Sequence, residues 1–107
     1  MGLFDQNSGD EIDHEDLDAA LKAEACALID VREPQEFAAG HVAGAQNMPM
    51  SAFDPARLPQ DKPLVLICRS GGRSAQALSR ARGAGVENVR HYRGGVIGWA
   101  NSGGELV

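Results

Sequence analysis

Apolar residues occur in short, nearly continuous runs, and segments with helical spacing separate these runs along the chain. Two of the runs cover residues 26–31 and 63–68. Runs of this kind are typical of parallel strands that are covered on both faces. Shorter strands are predicted at 45–48 and 86–92.

The segments between the strands carry helix signals. Two leucines spaced i, i+4 predict a helix over about 15–22, with Asp13 or His14 as its cap. A second helix is predicted to begin at Pro34 and to end at Gly40.

A third helix is predicted over about 74–82, and a last short helix after Gly94-Gly95. Residues 51–62 contain two prolines and predict a helical turn and a loop. Strands and helices therefore alternate, which predicts an α/β domain with a mainly parallel central sheet flanked by helices on both faces.

A length of 107 residues fits one compact domain. We expect this domain to cover residues 12–103, after a flexible acidic N-terminus (1–11) and before a loosely held tail (104–107). The composition, 43% hydrophobic and 23% charged, is that of an ordinary globular protein.

Charge and hydropathy exclude several classes of partner. The net charge of −5 argues against nucleic acid, and no apolar stretch is long enough to span a membrane. The first residues are acidic and lack the apolar core of a secretory signal. These features predict a cytoplasmic protein, in which Cys26 and Cys68 are free thiols rather than a disulfide. Cys26 is expected to be a small buried hydrophobe.

Cys68 stands where ligand sites form in open α/β sheets, at the carboxyl end of a predicted buried strand. Gly71 and Gly72 follow it and tolerate a positive φ, so that backbone amides can turn inward around the sulfur. Arg69 and Arg73 add positive charge. Such surroundings lower the pKa of a thiol and predict that Cys68 is a thiolate nucleophile.

A loop of this kind accommodates phosphate, arsenate or a sulfur oxyanion. In protein tyrosine phosphatases, five residues separate the cysteine from the arginine, whereas four separate Cys68 from Arg73. The smaller ring suits one added sulfur atom better than a phosphoryl group.

Four motifs in order resemble those of the single-domain rhodanese family, the thiosulfate-type sulfurtransferases. They are DVREPQEF at 30–37, GHVAGAQN at 40–47, CRSGGRS at 68–74, and Gly94-Gly95 through Trp99. The resemblance covers about residues 12–101.

The resemblance implies that Cys68 takes the outer sulfur of a donor such as thiosulfate as a persulfide and passes it to cyanide, a thiol or a protein cysteine. Inward-facing amides of residues 69–73 would stabilise the moving charge. Arg69 and Arg73 are candidates for binding the sulfonate end of the donor, and Ser70 or Ser74 for an additional hydroxyl contact. No metal or organic cofactor is expected.

Other residues are expected to be structural. The resemblance places Asp30 and Arg32 near the active loop, where they would brace the loop or the neighbouring strand end. His41 is expected to belong to a structural turn, and His14 and His91 to face solvent or to cap helices.

Three alternatives remain open from the sequence. The chain could be a sulfur-relay or docking module that accepts persulfide from a protein partner and barely turns over thiosulfate. It could be a phosphatase or arsenate reductase, which the loop length disfavours. A catalytically silent binding domain is the third, although such domains have lost the loop cysteine.

Overall fold

The computed structural model describes residues 9–107. Its strands are β1 (Ala27–Asp30), β2 (Gln46–Asn47), β3 (Leu64–Ile67) and β4 (Val89–His91). They form one sheet in the order β2-β1-β3-β4, and every neighbouring pair is parallel. Each strand is shorter at both ends than the segment predicted for it, since the ends of the apolar runs lie in the connecting loops.

Four α-helices accompany the sheet: α1 (His14–Lys22), α2 (Pro34–Ala39), α3 (Gly72–Gly83) and α4 (Gly95–Asn101). Asp13 caps α1, since its carboxylate accepts the Asp16 amide at 2.8 Å. Pro34 and Gly40 bound α2 as predicted. The segment before β3 contains two short 3₁₀ turns, Met50–Ala52 and Pro55–Arg57.

The sheet separates two apolar clusters, which confirms the predicted layering. Alternate residues of β1 and β3 pack with α3 on one face, and the intervening residues pack with α1 and α4 on the other. All residues of β1 and β3 are buried, because both of their faces are covered.

The strand register brings the carboxyl ends of β1 and β3 together. Asp30 lies opposite Ile67, and the Val31 amide donates to the Ile67 carbonyl at 2.8 Å. Cys68 therefore leaves the sheet at the same edge as the Asp30–Arg32 turn, which is the position expected for a ligand site.

Both ends of the described chain form backbone hydrogen bonds with other parts of the domain. The predicted loosely held tail instead pairs with residues 41 and 42: the His41 amide donates to the Val107 carbonyl at 3.1 Å, and Leu106 bridges Val42. Residues 10–12 lie beside β4, where the His91 amide donates to the Asp10 carbonyl at 2.9 Å. The prediction of a flexible N-terminus otherwise falls on residues 1–8, outside the described residues.

Within residues 9–107, no helix is both long and apolar enough to cross a membrane.

Candidate active site

Cys68 lies directly after β3, between the sheet and the first turn of α3. Only 1% of the residue is exposed, and its sulfur is a free thiol, as is that of Cys26. Its carbonyl accepts the Val96 amide at 2.8 Å, so the residue is anchored to α4 as well as to the strand.

The loop places hydrogen-bond donors around the sulfur. The Gly71 amide donates to Cys68 Sγ at 3.0 Å, and Ser74 Oγ lies 3.5 Å from the same atom. Burial raises the pKa of the Cys68 thiol, but hydrogen bonds from the Ser74 hydroxyl and from the Ser74, Gly71 and Ser70 amides outweigh burial and lower this pKa below its ordinary value. The loop therefore makes the Cys68 thiolate easier to form than that of an ordinary cysteine.

The two loop glycines have different roles. Gly71 has φ +108°, and a Cβ at this position would lie 2.3 Å from the Arg93 carbonyl oxygen. Gly72 is the first residue of α3 and has open space where a Cβ would stand. The positive φ expected for both glycines is therefore found only at Gly71, because the helix begins two residues earlier than predicted.

The second glycine pair closes the loop from the other side. A Cβ on Gly95, which has φ +66°, would lie 2.2 Å from the Arg69 carbonyl oxygen. This close approach lets the Ile97 amide donate to the same carbonyl at 3.1 Å. The Gly94-Gly95 motif thus allows α4 to pack against the active loop.

The two loop arginines also differ. Arg73 forms a bidentate ion pair with Glu36 of α2, with N–O distances of 2.6 and 2.9 Å. The hydrogen bond from Arg73 lowers the pKa of Glu36 to about 2, and the same contact raises the pKa of Arg73. Arg69 is exposed, as is Ser70. Within the described chain, Arg69 forms no ion pair, so its charge is available at the loop.

Asp30 and Arg32 form a buried pair at the end of β1. The Arg32 guanidinium donates to both Asp30 carboxylate oxygens at 2.8–3.1 Å and to the Gly40 carbonyl at 2.8 Å. Asn47 adds hydrogen bonds to the carbonyls of both residues. These contacts brace the strand end and join it to α2 and β2. Neither side chain bonds to the 68–74 loop, as far as residues 9–107 show.

His91 differs from its prediction. It was expected to face solvent or cap a helix, but it is buried (6% exposed) because residues 10–12 cover β4. Its Nδ1 lies 2.8 Å from Ser74 Oγ. Sequence reasoning missed both His91 and Glu36 as neighbours of the loop, since each reaches it only through tertiary packing.

The remaining histidines lie in structural contacts. His41 stacks on Phe37, with ring centres 3.8 Å apart, in keeping with a structural turn. His14 packs against Trp99 and lies 3.2 Å from the Tyr92 hydroxyl. Across the described residues, no three His, Cys, Asp or Glu side chains are grouped to hold a metal ion.

Comparison with known proteins shows the family to which the chain is related. The sequence-family model of the rhodanese-like domain matches residues 13–102 of this chain. A sulfurtransferase from Allochromatium vinosum is 40% identical over 101 residues, which cover 91% of this chain and 94% of that protein. The thiosulfate sulfurtransferase GlpE from Pseudomonas entomophila is 35% identical over 85 residues, which cover 78% of each protein.

Other relatives are longer. The probable adenylyltransferase/sulfurtransferase MoeZ from Mycobacterium tuberculosis is 45% identical over 78 residues, which are 69% of this chain and 20% of MoeZ. The matched residues make up half of a relative from Synechocystis and a fifth of MoeZ.

Solved structures agree with the sequence matches. A rhodanese-related protein from Thermoplasma volcanium has a TM-score of 0.82 and 32% identity, covering 92% of this chain and 97% of that one. The human single-domain sulfurtransferase TSTD1 has a TM-score of 0.76 and 29% identity, covering 88% and 97%. The chain belongs to the rhodanese-like family.

Proposed function

We propose that this chain is a thiosulfate-type sulfurtransferase in which Cys68 carries the transferred sulfur as a persulfide. The observation that carries the proposal is the hydrogen-bond cradle around Cys68 Sγ, with the Gly71 amide at 3.0 Å and a lowered thiol pKa. A buried cysteine without such donors would stay protonated and inert at neutral pH.

In the first half-reaction, the Cys68 thiolate attacks the outer sulfur of thiosulfate. A bond forms between Sγ and that sulfur, the sulfur–sulfur bond of thiosulfate breaks, and sulfite leaves with the bonding electron pair. The negative charge then rests on the outer sulfur of the Cys68 persulfide. The amides of Ser70 and Gly71, in the same loop, would stabilise this charge.

In the second half-reaction, a nucleophile attacks the outer sulfur, and the Cys68 thiolate leaves with the electrons of the persulfide bond. Cyanide would yield thiocyanate, whereas a thiol or a protein cysteine would become a persulfide. The protein atoms return to their starting state, so the cycle needs no metal or organic cofactor.

We assign the sulfonate end of the donor to Arg69. The sequence makes both Arg69 and Arg73 candidates for this contact. In the structure Arg73 forms an ion pair with Glu36, whereas Arg69 is exposed at the loop. In this proposal Arg73 contributes positive charge and fixes the first turn of α3. The Ser74 hydroxyl contacts the Cys68 sulfur, since its oxygen lies 3.5 Å from Sγ. Ser70 is exposed at the loop instead.

The proposed supporting role of Asp30 and Arg32 is to brace the end of β1 beside Cys68. A cytoplasmic location remains a prediction, and it fits a chemistry that requires Cys68 to stay reduced.

The test is turnover of thiosulfate with cyanide as acceptor, measured as thiocyanate for the wild type and for Arg69→Ala. We expect turnover in the wild type and a higher KM for thiosulfate in the variant, with Arg57→Ala, also an exposed arginine, as the matched control. No thiocyanate from a folded wild-type protein would contradict the proposal.

A sulfur-relay module is the second candidate, and the match to one fifth of MoeZ favours it, because there the domain is part of a longer protein. The module would take sulfur from a protein persulfide and ignore free thiosulfate. Incubation with a persulfidated donor protein, followed by the mass of this chain, separates the two: sulfur gained only from the protein donor supports the relay.

A further inference from the structure

His91 and Ser74 connect the buried sulfur of Cys68 with a cleft beside α3. Ser74 Oγ lies 3.5 Å from Cys68 Sγ and 2.8 Å from His91 Nδ1. His91 also lines a cleft of about 330 Å³ between α3 and the residues that precede α1, together with Asp10, Glu11 and Arg82. Sulfur, hydroxyl and imidazole therefore form a continuous hydrogen-bonded row.

The single proton of the Ser74 hydroxyl has three possible acceptors: Nδ1 of His91, the Gly71 carbonyl at 3.2 Å, and the Cys68 sulfur. If Nδ1 carries no proton, it takes the hydroxyl proton, since this contact is the shortest of the three. If Nδ1 carries its own proton, it donates to Ser74 Oγ, and the hydroxyl proton is free to point at the sulfur. The His91 tautomer therefore decides whether Ser74 supports a thiol or a thiolate.

We propose that His91 is a positioning residue that acts through Ser74 to stabilise the Cys68 thiolate and to carry the thiol proton to the cleft. The inference rests on Cys68 being the reactive thiolate of the proposed function.

The proton transfer balances in three moves. The thiol proton passes to Ser74 Oγ while the Ser74 proton passes to Nδ1 of His91. The Nε2 proton then leaves to water in the cleft. The result is a Cys68 thiolate, an intact Ser74 hydroxyl that points at the sulfur, and a neutral His91 protonated on Nδ1.

The charges around the row suit a neutral imidazole. Asp10 pairs with Arg82 of α3, and Glu11 lies 3.9 Å from Arg93, so the acids facing His91 are each offset by an arginine. Burial lowers the pKa of His91, which keeps the ring neutral at physiological pH. On the sulfur side, Arg69 and Arg73 are the charged groups of the loop.

The test is titration of the Cys68 thiolate by ultraviolet absorbance, with Cys26→Ser as the common background. We expect His91→Leu and Ser74→Ala to raise the pKa of Cys68 by about one unit, because each removes a donor to the sulfur. His91→Asn should restore a value near the wild type, since its amide can donate from about the position of Nδ1. His14→Gln is the matched control and should leave the titration unchanged.

Nitrogen NMR of His91 gives a second readout that packing alone would not move. We expect the Nδ1-protonated tautomer in the thiolate state and a shift toward the Nε2-protonated tautomer when Cys68 is protonated.

Three results would overturn the inference: an unchanged Cys68 pKa in a folded His91→Leu variant, an equal rise in the Leu and Asn variants, or an Nε2-protonated ring beside the thiolate. These results are independent of the sulfur donor. A wild type that titrates as expected but gains no sulfur from thiosulfate would refute the proposed function and leave the His91 inference standing.

Discussion

The two cysteines of this chain lie at opposite ends of adjacent parallel strands. Cys26 precedes β1 and Cys68 follows β3, and both are buried, with 7% and 1% of the residue exposed. Burial raises the pKa of the Cys26 thiol, only partly offset by the charge of Lys62, whereas donors of the active loop lower that of Cys68. Burial alone therefore does not decide the reactivity of a thiol here.

The difference follows from chain direction. At the carboxyl end of β3 the backbone turns into α3, and the amides of this turn lie around Sγ. At the amino end of β1 no helix begins at Cys26, and the thiol packs among apolar side chains of the second cluster. The same residue type thus has a lowered pKa at one edge of the sheet and a raised pKa at the other, which is the difference on which the proposed nucleophile rests.

The largest effect is expected from removing each thiol in turn. Cys68→Ser should lower turnover with thiosulfate and cyanide by about a thousandfold or more, because no persulfide can form on a hydroxyl. Cys26→Ser should leave turnover within about twofold, since Cys26 only packs. Both are measured as thiocyanate released by folded protein. A comparable loss in both variants would erase the distinction between the two cysteines.

The next effect comes from breaking the turn that distinguishes Cys68. Gly71→Ala places a methyl group against the Arg93 carbonyl at a positive φ, and should cost about 3 kcal/mol of unfolding free energy. Denaturant unfolding measures this cost.

Gly72→Ala is the matched control, with open space for the methyl group and a helical backbone. We expect its unfolding free energy to lie within about 0.5 kcal/mol of the wild type. Equal costs for the two variants would show that the loop does not need its left-handed residue.

A smaller effect separates the two thiols by titration. The pH dependence of alkylation, resolved for each cysteine by peptide mass, should have its midpoint below 9.0 for Cys68 and above 9.0 for Cys26. At a given pH below both midpoints, Cys68 should therefore hold the larger fraction of thiolate. Coincident midpoints, or Cys26 titrating first, would contradict the role assigned to the loop amides.

The smallest effect concerns the ion pair that holds the first turn of α3. Glu36→Gln should cost about 1 kcal/mol of unfolding free energy near neutral pH, because the pair is partly exposed. The folded pKa of Glu36, about 2, lies below its ordinary 4.5, so the contribution is complete above 4.5 and is lost as pH falls toward 2.

The difference in unfolding free energy between wild type and Glu36→Gln, followed over this pH range, measures the contribution of the pair. A difference that stays constant with pH would mean that Arg73 does not stabilise the Glu36 carboxylate.

The sequence was sufficient for the parallel sheet, the helices and the position of Cys68, since apolar runs and turn residues are local signals. It was not sufficient for contacts between distant segments. His91 was expected in solvent because the pairing of residues 10–12 with β4 cannot be read from either segment alone. The ion pair of Arg73 with Glu36 and the pairing of the tail with residues 41 and 42 were missed for the same reason.

The most direct test of the account is the intact mass of the wild-type protein after incubation with thiosulfate. We predict a gain of one sulfur atom, lost on adding cyanide, retained in Cys26→Ser and absent in Cys68→Ser. A gain of sulfur that persists in Cys68→Ser and disappears in Cys26→Ser would contradict the account, because it would place the reactive thiol at the wrong end of the sheet.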